Sequence, residues 1–243
     1  MIRFEHVSST LTEAPQPALD DVSFHIPKGE FVWLASPTGQ GASQALQLIH
    51  GALRPDNGQL TVDDIDVASL RNSDRPRLRR IVALVGQNPR LLSDQTAQHN
   101  VALGLLIGGE LADVAARKAR SALMDVGLGH RVRRPARELT EAERHLCALA
   151  RALAMAPSVL LADEPTGRLD PELSGVVRDL LESAHRRGTT VLWATSRPEL
   201  WKETPHRVLR FERGALVEDR PARDLGQWLP DFSAAPEAAE ANP

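Results

Sequence analysis

Four short, unbroken apolar runs constrain the fold of this chain more than any other feature. They lie far apart in the sequence, at residues 31–35, 81–85, 159–162 and 191–194. Uninterrupted runs of this length are typical of strands that are buried on both faces of a parallel sheet. Between the runs, apolar residues recur at helical spacing, for example at Ala42, Ala45, Leu46 and Ile49. The sequence therefore predicts an α/β fold built on a parallel sheet.

Both ends of the folded part predict antiparallel strands. Near the start, apolar residues have the spacing of half-buried strands, at Ile2, Phe4, Val7, Val22, Phe24 and Ile26. Near the end, residues 208–211 and 215–217 flank a short polar turn, a pattern typical of a hairpin. Residues 88–128 carry helical spacing and predict a mostly helical insertion. We predict one domain over residues 1–219 and a tail over residues 220–243, disordered over residues 233–243.

Composition and charge exclude several classes of protein. The 243 residues are 42% hydrophobic, so the chain is long enough to bury a full core. The formal net charge is -3, and the basic run at residues 75–80 contains no aromatic residue, so we expect a solvated face and no nucleic-acid partner. Cys147 is the single cysteine, which excludes an intrachain disulfide and a cysteine-based zinc cluster.

The hydropathy pattern predicts the location of the protein in the cell. No stretch approaches the roughly 20 apolar residues that span a bilayer, and the first ten residues contain no apolar signal region. We therefore expect a cytoplasmic protein that reaches the inner face of the cell membrane only through a partner.

The turn after the first apolar run has the pattern of a phosphate-binding loop. A strand, a glycine-rich turn and a helix, in that order, direct backbone N–H groups and a helix N-terminus at one point, which favours a polyphosphate there. Ser43 would place its hydroxyl on a magnesium ion. The candidate loop residues are Ser36, Pro37, Thr38, Gly39, Gln40, Gly41, Ala42 and Ser43. The octapeptide by itself fits a plain tight turn equally well.

The loop lacks the lysine that such loops place before the serine. Ala42 occupies that position, and the three lysines of the chain, Lys28, Lys118 and Lys202, all lie outside the loop. Losing one preorganised charge or donor at a reacting centre typically costs about a hundred- to a thousand-fold in rate. We expect nucleotide binding to be weaker as well.

A second polar cluster follows the apolar run at residues 159–162. Asp163 and Glu164 come at the predicted carboxyl end of this strand, beside the phosphate loop. Asp163 would hold magnesium through water, and Glu164 would orient or activate an attacking water. A plain turn is the alternative, but the residues that flank the pair argue against it.

Those flanking residues carry a resemblance to a known family. LADEPTGRLD, at residues 161–170, resembles the Walker B and D-loop segments of ABC-type ATPases, and VGQNPRLLSDQTAQHNVALGL is most similar to the FtsE family of cell-division ATP-binding proteins. The resemblance extends to about residue 217, and lipoprotein-releasing and macrolide-efflux ATPases are near alternatives. It implies a P-loop NTPase core with an antiparallel β subdomain at its start and a helical subdomain inserted at about residues 88–157. It also implies ATP and Mg²⁺ as ligands, with Gln87 at the metal and Asp170 at the nucleotide.

The resemblance also shows where this chain departs from the family. The family signature, LSGGQ or LSGGE, aligns with residues 139–143, where Thr140, Glu141 and Ala142 would meet the nucleotide of a partner subunit. Glu141 adds a carboxylate and Ala142 a methyl group near a phosphate. Ser196 replaces the switch histidine and cannot carry the charge of an imidazole. The adenine-stacking aromatic is expected near Leu11, and the chain has no tyrosine.

Together these features predict a nucleotide-binding subunit with weak ATP binding and impaired hydrolysis. In the family two such domains form a dimer, and either a homodimer or a heterodimer would bring Ala42 or Glu141 to each site. The resemblance implies an FtsX-like or other ABC-type membrane subunit as partner, in cell division or transport. One alternative is a working ATPase in which Arg144 or another basic group replaces the lysine. The other is a catalytically silent docking subunit.

The resemblance further implies a groove for a helix of the membrane partner near residues 88–107. The residues that would anchor that helix are apolar, and packing within the helical subdomain explains them equally well. They are Leu91, Leu92, Val101, Leu103 and Leu105.

Overall fold

A computed structural model of the chain describes residues 1–10, 17–37, 39, 41–71, 73–167 and 169–223. Leu11, Thr38 and Gln40 lie outside the described residues, and so does the part of the predicted tail from residue 224 onward. Within the described ranges the strands are β1 (Ile2–Thr10), β2 (Pro17–Ile26), β3 (Phe31–Ala35), β4 (Asn57–Val62), β5 (Ile65–Asp66), β6 (Val82–Val85), β7 (Val159–Asp163), β8 (Thr190–Thr195), β9 (Arg207–Glu212) and β10 (Ala215–Arg220).

Helices connect these strands and cover the sheet. They are α1 (Ala42–Ile49), α2 (Arg75–Ile81), α3 (Ala97–Ile107), α4 (Ala112–Asp125), α5 (Glu141–Ala154), α6 (Pro171–Arg186) and α7 (Pro198–Trp201). Two short 3₁₀ turns, Gly129–Arg131 and Ala136–Glu138, lie between α4 and α5. The segment between β6 and β7 is therefore helical, as the sequence predicts.

The central sheet has the strand order β10-β9-β3-β8-β7-β6. The strands β9, β3, β8, β7 and β6 are parallel to their neighbours, and β10 pairs with β9 as an antiparallel hairpin. The four apolar runs correspond to β3, β6, β7 and β8, which confirms the predicted parallel sheet. The run at residues 81–85 differs by one residue, because Ile81 ends helix α2 and the strand begins at Val82.

A second, antiparallel sheet has the order β2-β1-β4-β5. Strand β1 pairs with β2 through Ile2↔Ile26 and Phe4↔Phe24, and the register shifts before Val7↔Val22. This sheet is the antiparallel subdomain that the alternating residues of the first 26 positions predict.

Both faces of the central sheet are covered, which explains the unbroken apolar runs in β3, β6, β7 and β8. In β3, Phe31 and Trp33 belong to the core shared with α3, α4, α5 and α6, whereas Val32 and Leu34 belong to the core shared with α1 and the second sheet. Trp33 pairs with Trp193 of β8, and their rings stack with centroids 4.5 Å apart. A strand with no solvent-facing side has no position that favours a polar side chain.

The apolar residues of the helical subdomain separate into two groups. Val101 and Leu105 are buried in the core between α3, α4 and α5, so packing accounts for them. Leu92 is 49% exposed, which leaves it accessible to a partner. Cys147 and Trp201 are also buried. None of the helices in the described ranges is long and apolar enough to cross a membrane.

His50, the C-cap residue of helix α1, is expected to make stability depend on pH. Burial lowers the pKa of its ring to about 4, and the charge of Arg79 acts in the same direction. Below pH 6.5 the unfolded chain therefore binds a proton that the folded chain excludes, so stability falls as the pH falls from 6.5 toward 4. Between pH 7 and pH 4.5 this effect lowers the free energy of unfolding of the wild type by roughly 2–3 kcal/mol, and we expect His50→Gln to lack it.

Urea unfolding of wild type and His50→Gln at the two pH values measures this difference. His99→Gln is the matched control, because His99 is exposed on α3. Equal pH dependence of wild type and His50→Gln would show that the ring is not held in its neutral form.

Candidate functional site

A cavity of about 340 Å³ opens at the carboxyl edge of the central sheet. Strands β3, β8 and β7 are neighbours there, and their ends are level because Ala35 pairs with Thr195 and Ala194 pairs with Asp163. The loops that follow these strands build most of the cavity wall. Its lining residues are Ser36, Gly39, Ala42, Ser43, Gln87, His145, Asp163, Glu164, Gly167, Ala194, Thr195, Ser196 and Arg197.

The loop between β3 and α1 depends on its glycines. Gly39 and Gly41 have φ values of 73° and 101°, in the left-handed region that side chains rarely adopt. A Cβ atom on Gly41 would also lie 3.1 Å from Cβ of Phe211. The Gly41 carbonyl accepts the hydrogen bond from Ala45 N at 2.8 Å and so begins helix α1. The N-terminus of α1 consequently opens at the cavity.

The predicted loop residues differ in their position relative to the cavity. Ser36, Gly39, Ala42 and Ser43 line it, whereas Pro37 is exposed and is not part of the lining. The side chain of Ala42 is 3% exposed, so a methyl group stands where the loop pattern calls for a lysine.

The three predicted metal ligands converge at the base of the cavity. The Ser43 hydroxyl donates to Asp163 Oδ1 at 2.8 Å. Burial raises the pKa of Asp163, although hydrogen bonds from Ser43 and Gln87 act in the opposite direction. A hydroxyl, a carboxylate and an amide are hard oxygen donors of the kind that Mg²⁺ prefers. The residues therefore fit the ion, and Ser43, Asp163 and Gln87 would hold it.

The carboxylate of Glu164 accepts hydrogen bonds from other residues of the same chain. Its Oε1 accepts hydrogen bonds from Ser196 N at 2.5 Å and from Ser196 Oγ at 2.7 Å, and its Oε2 accepts one from Thr195 Oγ1 at 3.0 Å. Its φ of 47° is left-handed, an unfavourable conformation that surrounding contacts must maintain. The two predicted catalytic residues, Glu164 and Ser196, are thus in direct contact.

The predicted signature residues lie away from the cavity of their own chain. Thr140 caps helix α5: its hydroxyl accepts from Glu143 N at 3.2 Å, and Glu143 Oε2 accepts from Thr140 N at 2.8 Å. Glu141 and Ala142 form the first turn of α5, and none of these residues lines the cavity. These three residues therefore do not help to form the cavity of their own chain.

Two other predicted residues also lie outside the lining. Asp170 caps helix α6 by accepting a hydrogen bond from Leu173 N at 2.8 Å. Arg144, the alternative source of the missing charge, donates through Nη1 to the Leu139 carbonyl at 2.7 Å. Within one chain, Arg144 therefore does not reach the phosphate loop.

The sequence reasoning missed five lining residues, which are His145, Gly167, Ala194, Thr195 and Arg197. The ring of His145 lies between two carbonyl oxygens, that of Glu141 at 2.9 Å and that of Gln87 at 2.7 Å, and so links the start of α5 to the segment after β6. Nothing in the spacing of the sequence signals this contact. Arg197 follows Ser196 directly, so a cation beside the switch position was the signal that could have found it.

The family assignment rests on a family model and on relatives that match most of the chain. Residues 19–167 match the sequence model of the family described as ABC transporter. The chain belongs to the ABC transporter family. It is 41% identical to the cell division ATP-binding protein FtsE of Mycobacterium tuberculosis over 90% of this chain and 95% of that protein. With FtsE of Escherichia coli (strain K12) it shares 39% identity over 89% of this chain and 97% of that protein.

Solved structures of ABC cassettes have the same fold. A dimeric structure of the bacterial ABC transporter cassette MJ0796 matches with a TM-score of 0.85 and 28% identity, over 92% of this chain and all of that chain. A dimeric post-hydrolysis state of the same cassette, bound to ADP and phosphate, matches with a TM-score of 0.85 and 26% identity over the same shares. The predicted α/β fold, a P-loop NTPase core with an antiparallel and a helical subdomain, is confirmed.

Proposed function

We propose that this chain is the nucleotide-binding subunit of an FtsE-like ABC complex, and that it binds MgATP weakly and hydrolyses it slowly. One observation carries the proposal: Ser43, Asp163 and Glu164 meet in one cavity beside the N-terminus of α1, while Ala42 lines that cavity in place of a lysine. This arrangement supports a site that would hold magnesium and phosphate but lacks one positive charge.

Weak binding follows from the charges around the cavity. Asp163 and Glu164 repel a polyphosphate, and the loop offers backbone N–H groups but no cationic side chain at Ala42. Two unit charges about 4 Å apart interact by roughly 4 kcal/mol at an effective dielectric constant near 20. A bound Mg²⁺ would offset part of the repulsion between the carboxylates and the phosphates.

Slow hydrolysis follows from the contacts of Glu164. Three hydrogen bonds from Thr195 and Ser196 occupy most of the acceptor capacity of its carboxylate. Few lone pairs of this carboxylate are left to accept a hydrogen bond from an attacking water. In addition, the hydroxyl of Ser196 cannot supply the positive charge of an imidazolium.

The partners that we propose are a second cassette and an FtsX-like membrane subunit. The relatives are named as cell division ATP-binding proteins, and the matching cassettes are dimeric. In a homodimer, each site would combine the Ala42 loop of one subunit with Glu141 of the other. Leu92 of the helical subdomain is 49% exposed and could contact the membrane subunit.

Calorimetric titration with MgATP tests the site directly. Wild type is expected to bind MgATP saturably, and Asp163→Asn is expected to weaken binding by about tenfold or more, because a hydrogen bond or metal contact of a charged group contributes about 1.5–3 kcal/mol. Asp113→Asn is the matched control, since Asp113 is exposed on α4 and pairs with Arg117.

Phosphate release from the same samples tests the second half of the proposal. Two outcomes contradict it: no MgATP binding by wild type, or wild-type turnover near the roughly 10 per second that is typical of enzymes. In the second case Glu164→Gln should abolish the release, and the chain would be a working ATPase.

A further inference from the structure

Arg197 enters the cavity from the strand that lies between the other two site strands. It comes two residues after the end of β8, whose neighbours are β3 on one side and β7 on the other. Ser36 N donates to the Thr195 carbonyl at 3.0 Å, so the segment after β8 leaves the sheet next to the start of the phosphate loop. Arg197 consequently faces the same space as Ala42.

The guanidinium group of Arg197 is fixed by a hydrogen bond but does not use all of its donors. Its Nη2 donates to Thr166 Oγ1, on the loop that follows β7. Its Nε is buried and has no hydrogen-bond partner in the part of the chain that the structure describes. Since a guanidinium carries five N–H donors, the bond to Thr166 leaves part of its donor capacity for a ligand in the cavity.

Arg197 is also the one lysine or arginine among the described residues that line the cavity. The lysines of the chain lie elsewhere: Lys118, for example, pairs with Glu110 on the helical subdomain at 2.5 Å. With Asp163 and Glu164 in the same lining, a polyanion would meet two carboxylates and a single cationic side chain. Arginine suits that role, because its planar fork binds two phosphate oxygens at once.

We propose that Arg197 contacts the terminal phosphate of bound MgATP and replaces the charge that is missing at Ala42. The inference rests on the proposed function, that this cavity binds MgATP. The N-terminus of α1 takes the phosphates nearer the ribose, whereas Arg197 lies beside Ser196 and Glu164, at the end where the terminal phosphate is attacked. Arg197 thereby makes the site prefer a nucleoside triphosphate over a diphosphate.

Calorimetric titration with MgAMP-PNP, a non-hydrolysable triphosphate, and with MgADP tests this role. Arg197→Gln is expected to weaken MgAMP-PNP binding about tenfold or more, because the contact joins a guanidinium to a phosphate, and to change MgADP binding less than about twofold. Arg197→Lys should retain much of the preference for the triphosphate. Arg187→Gln is the matched control, since Arg187 donates to Ser183 at the exposed end of α6.

A rescue variant distinguishes a binding role from a structural one. If Arg197 supplies the missing charge, Ala42→Lys should return MgAMP-PNP binding by Arg197→Gln at least to the wild-type affinity, which a folding defect would not allow. Equal weakening of both nucleotides by Arg197→Gln, or no weakening, overturns this inference and leaves the proposed function intact. Absence of binding to wild type overturns both.

Discussion

A variant with family residues at four altered positions is expected to release phosphate from MgATP at least about a hundred times faster than the wild type. The four changes are Ala42→Lys, Glu141→Gly, Ala142→Gly and Ser196→His. The first adds a charge at the phosphate loop, and the next two remove a carboxylate and a methyl group from the first turn of α5. The last removes the hydroxyl that donates to Glu164 at 2.7 Å.

Phosphate release at saturating MgATP measures this gain, and Glu164→Gln in the restored variant is the control. We expect that added substitution to return the rate to the wild-type level, because the restored site acts through the Glu164 carboxylate. A variant that binds MgATP tightly but still releases no phosphate would show that the four altered positions do not explain the loss. A wild type that releases phosphate as fast as this variant would show that the altered residues do not impair hydrolysis.

The single substitution Ala42→Lys is expected to tighten MgATP binding by about tenfold to a hundredfold, or about 1.4 to 2.8 kcal/mol. Ala42 is the first residue of α1 and faces the cavity, so a lysine there extends toward the phosphates. In the absence of nucleotide the same lysine is unfavourable, because a cation at a helix N-terminus costs about 0.3–1 kcal/mol.

Calorimetry and thermal unfolding together measure these two effects of Ala42→Lys. Ala42→Gln is the matched control, because it adds a side chain of similar length without the charge. Tighter binding by both variants would assign the gain to added contacts rather than to charge. Unchanged binding by Ala42→Lys would mean that the loop does not hold the phosphates.

The sequence alone was sufficient to predict those features of the fold that have a local cause. Each apolar run predicts one strand, because a strand buried on both faces needs apolar residues at every position. The two glycines of the phosphate loop predict its shape, because their left-handed backbone excludes most other residues. Ile81 shows the limit of this reasoning: an apolar residue at a helix–strand boundary fits either element, and here it ends α2.

The composition of the cavity wall depended on contacts between distant parts of the chain. Arg197 lies 155 residues from Ala42 in the sequence, and the pairing of β8 with β3 brings both to one cavity. His145 reaches the carbonyl of Gln87 only because α5 packs beside the segment that follows β6. No local pattern encodes such contacts, since they depend on strand order and helix packing.

The sequence by itself determined the family fold, the candidate magnesium ligands and the missing lysine, because each is set by residues within a local motif. Only the tertiary structure decided which side chains lie close to the altered residues. It brought Ser196 against Glu164, where a small hydroxyl fits beside the carboxylate, and it placed a partly unpaired Arg197 across from Ala42. The physical reason is that a parallel sheet gathers the carboxyl ends of distant strands at one edge.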